Sequence, residues 1–141
     1  ARGKFYPKNT EKYVGLSTPT YRSSWEHAFM RLCDEHPNVY KWASESIKIP
    51  YRHPFTGKHT IYVPDFFIVY NDKNSKKHAE MVEVKPASQT TMEAAGKSMA
   101  KKKQVIINHA KWEAATAYAK QNRLKFRVVS EEDLFHNGKR K

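Results

Sequence analysis

Cysteine is almost absent: Cys33 stands alone in 141 residues. One thiol can neither close an intrachain disulfide nor build a cysteine-based zinc cage. Cys33 falls in an apolar-periodic segment and reads as a buried core thiol in a reducing compartment. Long apolar runs are missing too. Nothing approaches the roughly 18 residues that span a bilayer, and no apolar signal core opens the chain, so no membrane partner is expected. Seven histidines (27, 36, 53, 59, 78, 109 and 136) show no metal-ligand spacing of the H-x-x-x-H kind and read as surface or structural residues. Acidic residues are scarce: 14 Asp+Glu stand against 26 Lys+Arg, a net charge of +12. That imbalance favours a polyanionic partner, nucleic acid foremost, bound in a salt-sensitive way. Part of the charge can instead belong to basic ends, which need no partner.

A chain of this length suits one domain with one core. Residues 1–20 hold Gly3, Pro7, Gly15 and Pro19 among lysines and the aromatics Phe5, Tyr6 and Tyr13. They read as an irregular arm, ordered by a partner rather than by its own domain. Residues 21–136 read as the single domain, and residues 137–141 as a basic tail. A helix is predicted from Ser23 or Ser24, because Trp25, Phe29, Leu32 and Cys33 recur at helical spacing; Pro37-Asn38 ends it. Strands are predicted over Val39–Ala43, Ser46–Tyr51, His59–Tyr70 with an interruption at Pro64, and Ala79–Lys85. The turn His53–Lys58 separates the second and third of these. A helical region over 91–120 breaks near Gly96 or His109. Leu124–Val129 forms a last strand, and Ser130–Asp133 caps a short turn. The coarse order is αβββαβ, an α/β fold with a mixed central sheet flanked by helices.

Chemistry concentrates in Glu26, Asp65, Glu83 and Lys85. Glu83 and Lys85 are two apart in a strand, so their side chains share one face. Their strand neighbours are apolar, so these charges are not ordinary surface decoration. Hydrolysis of a phosphodiester needs an activated water, neutralised phosphoryl oxygens and help for the leaving oxygen. A hard divalent cation, Mg²⁺ or Mn²⁺, supplies much of this and takes one or two carboxylates with water and phosphate. Asp65 and Glu83 fit as ligands, the Val84 carbonyl as a further one, and Lys85 as a group that orients the water or meets the phosphoryl charge. Glu26 has two readings. It is a capping-box residue reaching back to the Ser23 amide, or an active-site acid that holds a metal-bound water or a second ion. Arg22 and Lys101, Lys102 and Lys103 are candidate phosphate contacts, against the reading of a solvated basic helix face. Trp25, Trp42 and Trp112 read as core, and Ser23 and Ser24 as caps, since no Ser-His-Asp set accompanies them.

With Asp65, Glu83 and Lys85 as signature and Glu26 as first-helix acid, the chain resembles the PD-(D/E)xK nuclease superfamily. That superfamily includes restriction-type endonucleases, Holliday-junction resolvases and the N-terminal domains of transposition endonucleases. The resemblance implies a restriction-endonuclease-like αβββαβ core and a DNA substrate. It also implies that Gln104, on the helix after the Glu-x-Lys strand, contacts DNA or holds a water. A narrower resemblance rests on Phe5-x-Pro7-Lys8-Asn9-x-x-Lys12-Tyr13-x-Gly15, Tyr21-Arg22-Ser23-x-Trp25-Glu26, Asn38-Val39-x-x-Trp42-x-Ser44-Glu45 and Ile49-Pro50-Tyr51. These segments are similar to the head-completion nucleases of T-even-type tailed phages. This implies a DNA endonuclease or end-processing nuclease acting after packaging. Its partners would be portal or neck proteins, and its place the host cytoplasm during assembly or the head–tail junction. Two other readings stay open: a structural head or neck component that uses the nuclease fold with weak or no catalysis, and a transposase- or restriction-type subunit.

Overall fold

Serine chemistry starts the first helix. In this computed structural model, which describes residues 2–131 and 133, Ser23 is the N-cap of α1 (Ser24–Glu35), and its hydroxyl accepts the Glu26 backbone N–H at 3.1 Å. Two short strands precede the helix, β1 (Gly3–Lys4) and β2 (Thr20–Tyr21), paired antiparallel. After it come β3 (Val39–Ser44), β4 (Ile49–Arg52), β5 (His59–Tyr62), β6 (Phe66–Asn71) and β7 (Lys77–Val84). A 3₁₀ turn (Ala87–Gln89), the short α2 (Met92–Ala95), the long α3 (Met99–Gln121) and β8 (Lys125–Val129) complete the described elements. The basic tail at 137–141 lies outside the described residues, as does Glu132 of the final cap.

The central sheet runs β3-β6-β7-β8, antiparallel except for the parallel β7–β8 pair. A parallel pair needs a long crossover, and α3 supplies it. The expected αβββαβ order is therefore α1-β3-β6-β7-α3-β8. The expected third strand is split: β5 ends at Tyr62, Pro64 intervenes, and β6 starts at Phe66. β5 leaves the central sheet and pairs only with β4. The helical region breaks at Gly96, whose φ of +64° suits a residue without Cβ, and α3 continues through His109 unbroken.

Side-chain alternation along β7 divides the core. Val82 and Val84 join Phe66, Trp42, Phe29 and Met30 on the α1 side. Met81 joins Ile49, Tyr62, Ala115 and Ala119 on the α3 side. Cys33 is buried in the first cluster, and burial pushes its thiol pKa up, as suits an inert core residue.

Residues 2–21 are not held in waiting for a partner, as their composition suggested. Phe5 is buried in the α1-side core, edge-on to Trp42 and His27. Tyr13 packs edge-on to Trp42 from the other side. Backbone bonds from Val14 N–H to the Trp42 carbonyl and from Trp42 N–H to the Lys12 carbonyl, both 2.9 Å, cover the outer edge of β3. The buried Asp34 carboxylate accepts the backbone N–H groups of Lys8 and Asn9, each at 3.0 Å. Lys12 Nζ donates to the Asp34 and His36 carbonyls at 2.9 Å, which satisfies the end of α1. Phe5 and Tyr13 packing on Trp42, and one acid facing two amides, decide the arm's path, while Tyr6 stays exposed.

Replacing Asp34 with Ala leaves those two amides without acceptors. The expected loss in urea unfolding is about 2–4 kcal/mol, with tryptic cleavage appearing at Lys4 and Lys8. An arm that stayed resistant, on a domain of unchanged stability, would contradict this account.

Candidate active site

Glu83 lies on β7, inside the sheet, yet is only 4 % exposed. Its Oε1 accepts the Tyr62 hydroxyl at 2.8 Å and the Asp65 backbone N–H at 3.2 Å. Asp65 sits just before β6, the strand adjacent to β7, and its Oδ2 accepts the Val84 N–H at 2.8 Å. The N–H and C=O of one strand residue point to the same side, so the Val84 carbonyl also faces the Asp65 side. Lys85 N–H instead pairs with the Val129 carbonyl of β8 at 3.0 Å. Lys85 Nζ approaches Glu83 Oε2 at 3.6 Å. The two carboxylates and Lys85 thus form one cluster, each fixed by backbone of two strands.

Both acids hold protons more tightly than ordinary carboxylates. For Asp65 the causes are burial first, then the neighbouring Glu83 charge, with Glu26 adding to them; the Val84 N–H and Lys85 oppose. For Glu83 burial again dominates, opposed by Lys85, the Tyr62 hydroxyl, the Asp65 N–H and Lys111. The positive groups present do not fully offset two buried anions. Among the described residues Asp65 Oδ1 has no hydrogen bond, and Glu83 Oε2 meets only Lys85. Such a set of under-compensated oxygens fits a hard dication. Among the same residues no three His, Cys, Asp or Glu side chains form a closed cage. The fit is therefore to an ion that keeps water and phosphate among its ligands.

Glu26 closes the start of α1 and lies within electrostatic reach of Asp65. Its Oε1 accepts the Arg22 N–H at 3.0 Å, one residue earlier than the Ser23 amide expected. It also stands close enough to Asp65 to raise that group's proton affinity. Arg22 forms an ion pair with Glu45, which holds its guanidinium pKa up, and it also feels Glu26 and Asp65. Glu45 has φ +50° and donates its N–H to the Asp65 carbonyl at 2.9 Å, so an unusual backbone conformation borders the site. Gln104 donates to Asn108, which in turn donates to the Gln89 carbonyl, so its amide group braces the 3₁₀ turn after Lys85-Pro86. Lys101, Lys102 and Lys103 occupy the start of α3, with 101 and 103 exposed.

Sequence reasoning missed three participants. Tyr62 is one, and Glu45 is another. The third is Lys111 on α3, half-buried, with its Nζ 5.7 Å from the Tyr62 ring centre. Burial and the nearby Lys85 charge push its pKa down, while Glu83 and Asp65 push it up. Lys111-Trp112 in a lysine-rich helix carries no local signal; only the fold brings it to Glu83.

An αβββαβ core carrying paired acids and a lysine at the β6–β7 junction defines a restriction-endonuclease-like nuclease. The chain belongs to the family of TnsA-like endonuclease N-terminal domains, whose model matches residues 36–131. It is also 34 % identical over 142 residues to the head completion nuclease of Enterobacteria phage T4, covering 94 % of this chain and 92 % of that one. The family match begins after α1, so it covers neither Glu26 nor the arm. Among the described residues no helix is long and apolar enough to cross a membrane.

Raised carboxyl pKa values set the sign of a pH effect. Below the unfolded-state values both states are protonated and the burial penalty is absent. As pH climbs through the higher folded-state values, ionisation inside the site destabilises the native state. Asp65→Asn keeps an acceptor for Val84 N–H and removes one charge. It is expected to raise Tm by about 2–5 °C at pH 8 and to change it little near pH 4. An equal shift at both pH values would show that charge is not the cause.

Proposed function

We propose that this nuclease is a Mg²⁺-dependent (or Mn²⁺-dependent) deoxyribonuclease that processes DNA during phage head completion, after packaging. The observation that carries the chemistry is the half-buried Asp65 beside the buried Glu83, with Lys85 Nζ 3.6 Å from the Glu83 carboxylate. Asp65, Glu83 and the Val84 carbonyl would hold the cation. Bound there, it neutralises phosphoryl charge and makes a water a better nucleophile at neutral pH.

The remaining work belongs to this chain's own groups. Tyr62 and the Asp65 N–H fix the Glu83 carboxylate so that Oε2 faces the cleft. Lys85 orients the attacking water and meets charge developing on the phosphoryl oxygens. Lys111, with no carboxylate within 4 Å among the described residues, offers a second ammonium to a phosphate oxygen. Glu26 holds the Arg22 backbone at the start of α1 and would, as an acid near Asp65, hold a metal-bound water or a second ion. Arg22 and Lys101–Lys103 hold flanking phosphates, and Gln104 acts through Asn108 on the loop after Lys85.

The biological setting rests on the phage likeness, which covers 94 % of this chain. A relative aligned over nearly the whole chain favours head completion over a transposase- or restriction-type subunit. It supports portal or neck proteins as further partners, and the host cytoplasm during assembly or the head–tail junction as the place of action. We read residues 21–136 as the nuclease unit and 1–20 as its belt. Two of the arm's aromatics are committed to its own domain, Phe5 buried and Tyr13 half-buried against Trp42, while Tyr6 stays exposed.

Glu83→Gln is expected to lower Mg²⁺-dependent plasmid cleavage by about a thousandfold or more while preserving DNA binding in Ca²⁺. Lys111→Met should lower the single-turnover rate about ten- to a hundredfold with unchanged Tm, and Lys111→Arg should recover part of it. Equal cleavage by wild type and Glu83→Gln, in protein freed of contaminating nuclease, would overturn the proposal.

A further inference from the structure

The β4–β5 hairpin stands apart from the central sheet. Its root is anchored: Ile49 and Tyr62 are buried against α3, and Tyr62 reaches Glu83. Its far end is not. Residues 54–61 are all exposed, including Phe55 at 51 % and Ile61 at 54 %. From Ser46 to Pro64 the chain contains no Asp or Glu, while it carries Lys48, Arg52 and Lys58 and two histidines.

The tip is built, not loose. His53 N–H donates to the Lys58 carbonyl at 2.9 Å, and Gly57 N–H to the His53 carbonyl at 2.8 Å. His53 Nδ1 accepts the Phe55 and Thr56 amides at 3.2 and 3.3 Å. Arg52 Nε donates to the Gly57 carbonyl at 3.0 Å, leaving the outer guanidinium nitrogens free to act. Gly57, at φ +72°, makes the turn possible. An isolated two-stranded hairpin is marginal in water, and these bonds hold this one in shape well beyond its packed root. A rigid aromatic in solvent, flanked only by positive charge, loses little entropy when it binds.

We propose that this hairpin grips the DNA substrate, with Arg52 and Lys58 on phosphates and Phe55 stacked on an unpaired base at a branch or frayed end. The inference rests on the nuclease reading above and names the substrate class for that site. Charge complementarity selects the partner: a polyanion meets no repelling group anywhere on the hairpin. Stacking on an aromatic requires a base freed from its neighbours, which intact duplex does not present. Strand rise puts Phe55 about 15 Å beyond Tyr62. That is about four base-pair steps of duplex, so one DNA molecule can touch both the tip and the catalytic cluster. The hairpin runs straight into Pro64-Asp65, which ties DNA engagement to the metal-binding carboxylates.

The test uses full-length protein carrying Glu83→Gln, so that binding is read without cleavage. Fluorescence anisotropy compares a blunt duplex with a forked duplex of the same sequence, across a salt series. Phe55→Ala is expected to weaken fork binding about tenfold, to leave duplex binding within about twofold, and to keep the salt slope. Phe55→Tyr should retain fork preference and Phe55→Leu should lose it. Lys58→Gln should weaken both DNAs and reduce the salt slope by about one. Unchanged affinities and slopes in all variants would overturn the proposal and leave the hairpin to a protein partner. Equal weakening of fork and duplex by Phe55→Ala would overturn the stacking role. Wild-type cleavage, measured in parallel with Mg²⁺, separates either failure from failure of the nuclease reading itself.

Discussion

Two neighbouring carboxylates, Glu83 buried and Asp65 half-buried, are the constraint on which the rest of this structure turns. Neither Asp65 nor Glu83 gains enough from nearby charge to offset its burial, and the Glu83 charge further raises the proton affinity of Asp65. Everything around them limits that penalty without removing it. Val84 N–H, Asp65 N–H and the Tyr62 hydroxyl each give one hydrogen bond to a carboxylate oxygen. Lys85 and Lys111 give positive charge from two directions. A protein selected only for stability would place Val or Leu here. The residual uncompensated charge is a local cost in stability that a bound dication would relieve.

The opposite face of the sheet is organised by aromatic packing, and it is stable for ordinary reasons. Trp42 is enclosed by Phe5, Tyr13 and Phe66. Asp34 ties the arm to α1, and α1 in turn brings Glu26 and Arg22 to the edge of the acidic cleft. The arm therefore bears on the chemistry indirectly: it holds the helix whose first turn meets Asp65. Positive φ at Glu45 fits the same logic, because the chain must turn sharply after β3 to bring Arg22's partner beside the Asp65 backbone.

Much of this was legible in the residues. Ser23 at the start of an apolar-periodic run marks the helix, and the Pro64 interruption marks the strand restart. Glu83 and Lys85 share a face because strands repeat every two residues. The alternation from Lys77 to Val84 also hid something, since Glu80 and Glu83 point to opposite faces and only one joins the site. What the residues did not disclose depends on tertiary contact. Tyr62 and Lys111 meet Glu83 from a hairpin and a helix distant in sequence. The arm's glycines and prolines exclude a helix but say nothing about whether its aromatics are buried. The splitting of β5 from β6 was signalled by proline, yet the destination of β5 depends on which edge is open.

The parallel pairing of β7 with β8 has a consequence for the order of assembly. Lys85 is pinned by the Val129 carbonyl, and Glu83 faces Val128 in register. β8 is synthesised after every other element of the sheet, and parallel pairing across a long crossover forms slowly. Earlier strands can meet as neighbouring antiparallel pairs, whereas β7 stays an open edge until α3 is complete and β8 docks. The carboxylates can gather before then, but Lys85 has no fixed place. A growing chain would thus carry its acids without the fixed lysine beside them, and the full cluster would assemble as a single late event. Late closure of one strand sets when the cluster is complete, as a consequence of topology.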